Sequence, residues 1–118
     1  MSDLLQKIRD AAMELPETSE KLSHGQPTFF VAGKQFAQFR DNHHGDGKTV
    51  VCVRVSGLDE QAMLLEADPK TYSKPAYLPT WLSINIAEDD VDWGHVADRI
   101  AASWELAAPR RLLEAGGR

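Results

Sequence analysis

The chain has 118 residues, a usual length for a single domain, and 42% apolar and 26% charged residues are typical of a globular protein. One cysteine excludes an internal disulfide, and a net charge of −5 argues against non-specific nucleic-acid binding by the molecule as a whole. No apolar run approaches the ~18 residues that cross a bilayer, and residues 1–5 lack signal-peptide features, so we expect one cytoplasmic domain over residues 1–118, with no membrane contact.

The first half of the chain predicts a helix followed by four short strands. Apolar residues recur at helical spacing over residues 3–14, with Ser2 as a cap and Pro16 beyond the end. Runs of β-branched and aromatic residues then alternate with turns that contain glycine or proline. The predicted strands cover residues 18–23, 28–31, 35–40 and 49–55.

The second half predicts two further helices with one strand between them. One helix runs from about residue 57 to 67, and residues 68–79, which contain three prolines, form a constrained loop. Residues 81–86 alternate as a strand, and the third helix starts after Asp90 or Asp92 and ends before Pro109. Short hairpins with one apolar face predict an α+β two-layer sandwich, an antiparallel sheet with helices packed on one face.

Strand alternation assigns side chains to the two faces of this sheet. If Val51, Val53 and Val55 face the helices, then Arg54 lies on the other face, and Trp81 joins it there by the same argument. An exposed tryptophan beside an arginine suggests a docking surface. The alternative is that the loop containing Tyr72 and Tyr77 simply covers Trp81.

Several segments resemble the MmcQ/YjbR family. The turn and strand HGQPTF at residues 24–29, followed by GKQFA at residues 33–37, carry most of the resemblance. Further matching segments are residues 15–18, 64–69, Trp81, 92–93 and 108–112. The resemblance implies a fold like that of the bacterial frataxin (CyaY) group. It also implies DNA binding by a double wing of hairpins.

The residues themselves indicate no catalytic or cofactor site. Cys52 sits among valines without a nearby base, and no nucleophile or phosphate-loop motif occurs, so we expect a protein that is not an enzyme. The adjacent His43 and His44 lack the spacing of a zinc site. Acidic residues of the first helix are read as a solvated face rather than an iron site. We therefore expect no metal and no cofactor.

Two binding functions remain, and they use different side chains. The leading prediction is DNA binding by a monomer, with phosphate contacts from Lys34, Arg40, Arg54, Arg110 and Arg111. The alternative is a protein- or small-ligand-binding module on the open sheet face around Trp81 and Arg54. Its ligand or partner face would comprise His24, Tyr72, Tyr77 and Trp81.

Overall fold

The structure is a computed structural model that describes residues 2–42, 45, 47–88 and 90–115. Its helices are α1 Ser2–Met13, α2 Leu58–Ala67, α3 Trp93–Ala107 and α4 Arg110–Glu114. Its strands are β1 Thr18–Ser23, β2 Gln26–Val31, β3 Lys34–Asp41, β4 Thr49–Arg54, β5 Tyr72–Ser73 and β6 Trp81–Asn85. Within these residues, no helix is both long enough and apolar enough to cross a membrane.

The strands form one antiparallel sheet in the order β1-β2-β3-β4-β6-β5. The helices pack against one of its faces, so the predicted α+β sandwich is confirmed. The sheet contributes Phe29, Val51, Val53, Leu82 and Ile84 to the core between the layers. The other face carries no helix in the described part of the chain, and we call it the open face.

The two N-terminal hairpins turn through two residues each. His24 and Gly25 have φ angles of 53° and 78°, and Ala32 and Gly33 have 49° and 81°. Two consecutive positive φ angles are typical of the type I′ turn, whose twist matches that of the flanking strands. The turn predicted at residues 24–27 is therefore confined to two residues, because Gln26 and Pro27 already pair with β1.

A bulge in β3 fixes the sheet to α3. Phe29 pairs with Ala37, but Phe30 pairs with Gln35, so Phe36 is an extra residue in its strand. Both Phe36 and Ala37 are consequently buried in the core, which strict alternation would not allow. The hydroxyl of Ser103 on α3 donates to the Phe36 carbonyl at 2.5 Å and accepts from the Arg54 backbone N–H at 2.8 Å.

The helices present apolar stripes at the expected spacing. Ile8 and Ala12 of α1 and Ile100 and Trp104 of α3 are buried, each pair four residues apart. The Trp104 indole N–H donates to the Pro16 carbonyl at 3.0 Å, which satisfies the polar group of a fully buried ring.

The structure differs from the sequence prediction in two elements. Residues 68–79 are not entirely loop, because Tyr72–Ser73 pairs with β6 as a sixth strand at the edge of the sheet. Of the two candidate caps of α3, Asp92 is the one that caps, since its carboxylate accepts from the His95 backbone N–H at 3.1 Å.

Candidate functional site

The open face carries three cations and no carboxylate among the strand residues that point to it. Direct pairing aligns Lys21, Thr28, Gln38, Cys52 and Ser83 in one row across five strands. Arg40 and Arg54 flank this row along their strands. Acidic strand residues face the other way: Glu20, for example, pairs with the core residue Phe29 and binds Arg9 of α1 at 2.6 Å.

A network of buried polar groups holds Arg40 in place. The Thr28 hydroxyl accepts from Gln38 Nε2 at 3.0 Å, and Gln38 Oε1 accepts from Arg40 Nε at 2.8 Å. Arg40 Nη1 also donates to the Ala76 carbonyl at 3.2 Å. These two hydrogen bonds fix the Arg40 side chain at Nε and at Nη1. The residue is also buried, with 7% of its surface exposed.

The connection between β5 and β6 folds back over the open face. Leu78 packs on Val50, Cys52 and Trp81, which form a small apolar cluster of their own. The Arg54 guanidinium lies 5.0 Å from the centre of the Trp81 ring, and its Nε donates to the Gln35 carbonyl at 2.8 Å. Arg54 and Trp81 thus share this face as predicted, but Trp81 is 5% exposed and is covered by the loop. It offers no free ring for base stacking.

A pocket opens on this face between the first hairpin turn and the returning loop. Its volume is about 440 Å³. Gln35, Gln38 and Arg40 of β3 line one side, and the other lining residues are Ser23, His24, Tyr77 and Leu78. His24 and Tyr77, which the sequence assigns to one ligand face, are brought together here.

Tyr72 lies on the opposite side of the sheet, so its prediction as a neighbour of Trp81 is wrong. It pairs with Ile84 of the covered face, and its hydroxyl shares a hydrogen bond with His95 of α3. Burial raises the pKa of this phenol, and the charge of Arg99 opposes that rise. A second cavity of about 540 Å³ beside it is edged by carboxylates such as Asp68 and Asp92.

The predicted phosphate contacts do not converge. Lys34 is exposed at the tip of the β2–β3 hairpin, in register with Val31 of the covered face. Arg110 and Arg111 lie on α4, whose Leu112 packs into the core of that same face. The structure therefore does not bring Arg110 and Arg111 together with Arg54, and phosphate contact by these residues stays a prediction.

Ion pairing separates the arginines into two groups. Four of them pair with carboxylates in the described part of the chain: Arg9 with Glu20, Arg99 with Glu60, Arg110 with Glu114 and Arg111 with Glu17. The other arginines in this part are Arg40 and Arg54, and neither has a described carboxylate within 4.0 Å. Both belong to the open face.

Metal binding has no support within residues 2–42, 45, 47–88 and 90–115. No group of three or more His, Cys, Asp or Glu side chains in these ranges is placed to hold an ion. His43 and His44 lie outside the described residues, so the prediction that they form no zinc site stays a prediction.

Residues 13–106 match the sequence profile of the YjbR family. The chain belongs to the YjbR family. Its structure is similar to that of the Deinococcus radiodurans protein DR2400, a DUF419-domain protein, with a TM-score of 0.74 and 16% sequence identity. The similarity covers 91% of this chain and 80% of DR2400, and it shows that the two proteins share a fold. Curated protein sequences yield no match.

Sequence reasoning missed Lys21, Gln35 and Gln38 as residues of the open face. The row from Lys21 to Ser83 depends on the register of five strands, which alternation within each strand does not determine. Gln38 does carry a usable signal, because it is a polar residue between Ala37 and Phe39 in a strand that is otherwise buried.

Proposed function

We propose that the open face binds nucleic acid through phosphate contacts, without catalysing a reaction. DNA binding is what the MmcQ/YjbR resemblance implies for this chain. The observation that carries the proposal is the pairing of the arginines: in the described part of the chain, the two without a carboxylate partner both lie on this face.

Arg54 is positioned to receive an anion. Its Nε is held by the Gln35 carbonyl and its plane by Trp81, so the remaining N–H groups have a fixed direction. Burial lowers the pKa of Arg54, because the charged form is partly removed from water. An arriving phosphate would supply the negative charge that this half-buried cation lacks.

The rest of the molecule favours one orientation towards a polyanion. α2 carries three carboxylates, and α3 carries two against Arg99 alone. A nucleic acid would be repelled by this layer and attracted by the opposite face, even though the net charge of the chain is −5.

The proposed contacts on the open face are Lys21 and Arg54. Lys21 lies three strands away from Cys52 in the same row, which separates it from β4 by about 14 Å at ~4.8 Å per strand. Each cation would therefore contact a different phosphate. Two such contacts predict that log affinity falls with log salt at a slope of about −1.8 on duplex DNA and about −1.4 on a single strand.

The test is fluorescence anisotropy of a labelled duplex and a labelled single strand, titrated at several salt concentrations. The double variant Lys21→Gln/Arg54→Gln should bind all sequences more weakly, and its salt slope should be shallower by about 2. The matched control is Arg110→Gln/Arg111→Gln, which removes the same charge from α4 and should leave the slope unchanged.

Two results would overturn the proposal. One is the absence of binding by the unmodified chain at low salt. The other is an equal loss of affinity in the two double variants, because net charge rather than the open face would then govern binding.

A small-ligand function of the same face is the second candidate, and the pocket beside Arg40 favours it. The pocket has the volume of a small-molecule site, about 300–1,000 Å³ in general. It does not contain Arg54 or Trp81, the residues around which the sequence places a ligand face.

A further inference from the structure

Arg40 is a buried cation whose charge the described protein does not neutralise. The residue is 7% exposed, and no described carboxylate lies within 4.0 Å of its guanidinium. Its hydrogen bonds go to two neutral oxygens, Gln38 Oε1 and the Ala76 carbonyl. Buried charges in proteins are normally paired, which makes the Arg40 guanidinium a candidate for binding an anion.

The hydrogen-bonding pattern leaves the end of the guanidinium free for that anion. A guanidinium has five N–H donors, and the bonds within the described residues use one on Nε and one on Nη1. The remaining donors on Nη1 and Nη2 form the end-on fork that grips two oxygens of a carboxylate or phosphate. Because the network from Thr28 through Gln38 fixes the other side, this fork is already oriented.

The pocket around Arg40 is larger than an isolated oxyanion needs. Its volume of about 440 Å³ leaves room for the body of a small molecule beside the charged group. Tyr77 and Leu78 form one wall, and Tyr77 is 82% exposed as a residue. An aromatic ring of this kind offers a flat surface on which a planar group can stack.

The backbone at the rim is also held in an unfavourable conformation. Tyr77 has a φ of 65°, in the left-handed region that bulky residues seldom adopt. Such residues are concentrated at ligand sites, where the surrounding structure holds them in place. Here Tyr77 lines the same pocket as Arg40.

We propose that this pocket binds a small planar molecule carrying one oxyanion group, with the phosphate or carboxylate on Arg40 and the planar body against Tyr77. This site is independent of the proposed nucleic-acid contacts, because Lys21 and Arg54 do not line it. A nucleoside monophosphate and an aromatic carboxylate share the required chemistry.

Two-dimensional NMR of the ¹⁵N-labelled full chain tests the proposal with four defined probes. Adenosine monophosphate and benzoate carry the oxyanion, and adenosine and benzamide are their uncharged counterparts. We expect saturable shifts from at least one of the charged probes at the amides of Ser23, His24, Gln35 and Leu78. Its uncharged counterpart should bind at least about tenfold more weakly, because a charge-assisted hydrogen bond is lost.

Variants distinguish the pocket from general attraction to a cationic face. Arg40→Gln should weaken binding of the charged probe at least about tenfold, Arg40→Lys should restore part of it, and Arg110→Gln should bind as the unmodified chain does. Since Arg40 is buried and its replacement can unfold the chain, Tyr77→Ala provides an exposed alternative that should bind several-fold more weakly.

The proposal is overturned if neither charged probe gives saturable shifts up to about 20 mM, beyond the millimolar range of weak ligands. It is equally overturned if the shifts fall outside the pocket, or if both uncharged counterparts bind as well as the charged probes. Lys21→Gln/Arg54→Gln should keep full probe binding. Failure of DNA binding and failure of the pocket are therefore separate results.

Discussion

At the scale of single residues, the open face depends on buried polar groups that satisfy one another. Thr28 is fully buried, yet its hydroxyl both accepts from Gln38 and donates to the Gln26 carbonyl at 3.0 Å. Gln38 in turn orients Arg40. Buried polar groups that bond one another in this way cost little in stability, but the loss of one member leaves the others buried without partners.

Thr28→Val tests this network, because valine keeps the β-branched shape and removes only the hydroxyl. Gln38 Nε2 would retain only the Ser23 carbonyl at 3.5 Å, so we expect a loss of about 1–2 kcal/mol in the free energy of unfolding. Urea denaturation measures it, with Thr80→Val at an exposed position as the control. Equal, near-zero effects of the two changes would show that the network contributes nothing.

Residue placement could be predicted from the sequence where alternation is strong and not where it is absent. Arg54 and Trp81 are correctly assigned to one face, because each lies in a strand of alternating apolar residues. Tyr72 belongs to a two-residue strand, which is too short to show a period, and its face is set by pairing with Ile84. The pocket could not be predicted from the sequence, because His24, Arg40 and Tyr77 come together only in the tertiary structure.

At the scale of secondary-structure elements, the contact between α3 and the β3 bulge holds the helix to the sheet. Alternation predicts β3 as a strand, but it does not predict the bulge at Phe36. The bulge arises because the register between β2 and β3 shifts by one residue at this point. The bulge interrupts the ladder, and Ser103 supplies hydrogen bonds to the backbone groups that the ladder leaves without partners. One helix side chain thereby fixes two strands.

Ser103→Ala should consequently destabilise the fold by about 1–3 kcal/mol, since it leaves the Arg54 N–H and the Phe36 carbonyl without their hydrogen-bond partner. Thermal and urea unfolding measure the change. Ser19→Ala removes the same hydroxyl from an exposed site on β1 and serves as the matched control. A loss no larger than that of the control would mean that packing alone holds α3 to the bulge.

At the scale of the whole molecule, charge is divided between the two layers. The two arginines without a carboxylate partner among the described residues lie on the open face, and the helix layer carries an excess of acids. The sequence shows only a total of −5 and a mildly basic stretch at residues 21–58. It could not show which cations are neutralised, because Arg9, Arg99 and Arg111 find their partners through the fold.

Acid should therefore destabilise the protein through the helix layer. The carboxyl group of Glu60 has a lowered pKa because it accepts from the Ser56 backbone N–H at 2.7 Å and lies near Arg99. A carboxyl whose pKa is lower in the folded than in the unfolded state stabilises the fold above its unfolded pKa, near 4.3 for glutamate. That contribution is lost as the pH falls through the folded value.

Glu60→Gln isolates this effect. At pH 7 the variant should be less stable by about 1 kcal/mol, since it loses a charge-assisted hydrogen bond and leaves Arg99 without its carboxylate. In acid, below the lowered pKa of Glu60, the wild-type carboxyl is itself protonated, so the unfolding free energies of the two proteins should converge. Urea titrations at both pH values measure the difference, and Glu66→Gln, exposed on the same helix, is the control. A gap that stays constant with pH would mean that the shape of the side chain, and not its charge, stabilises this end of α2.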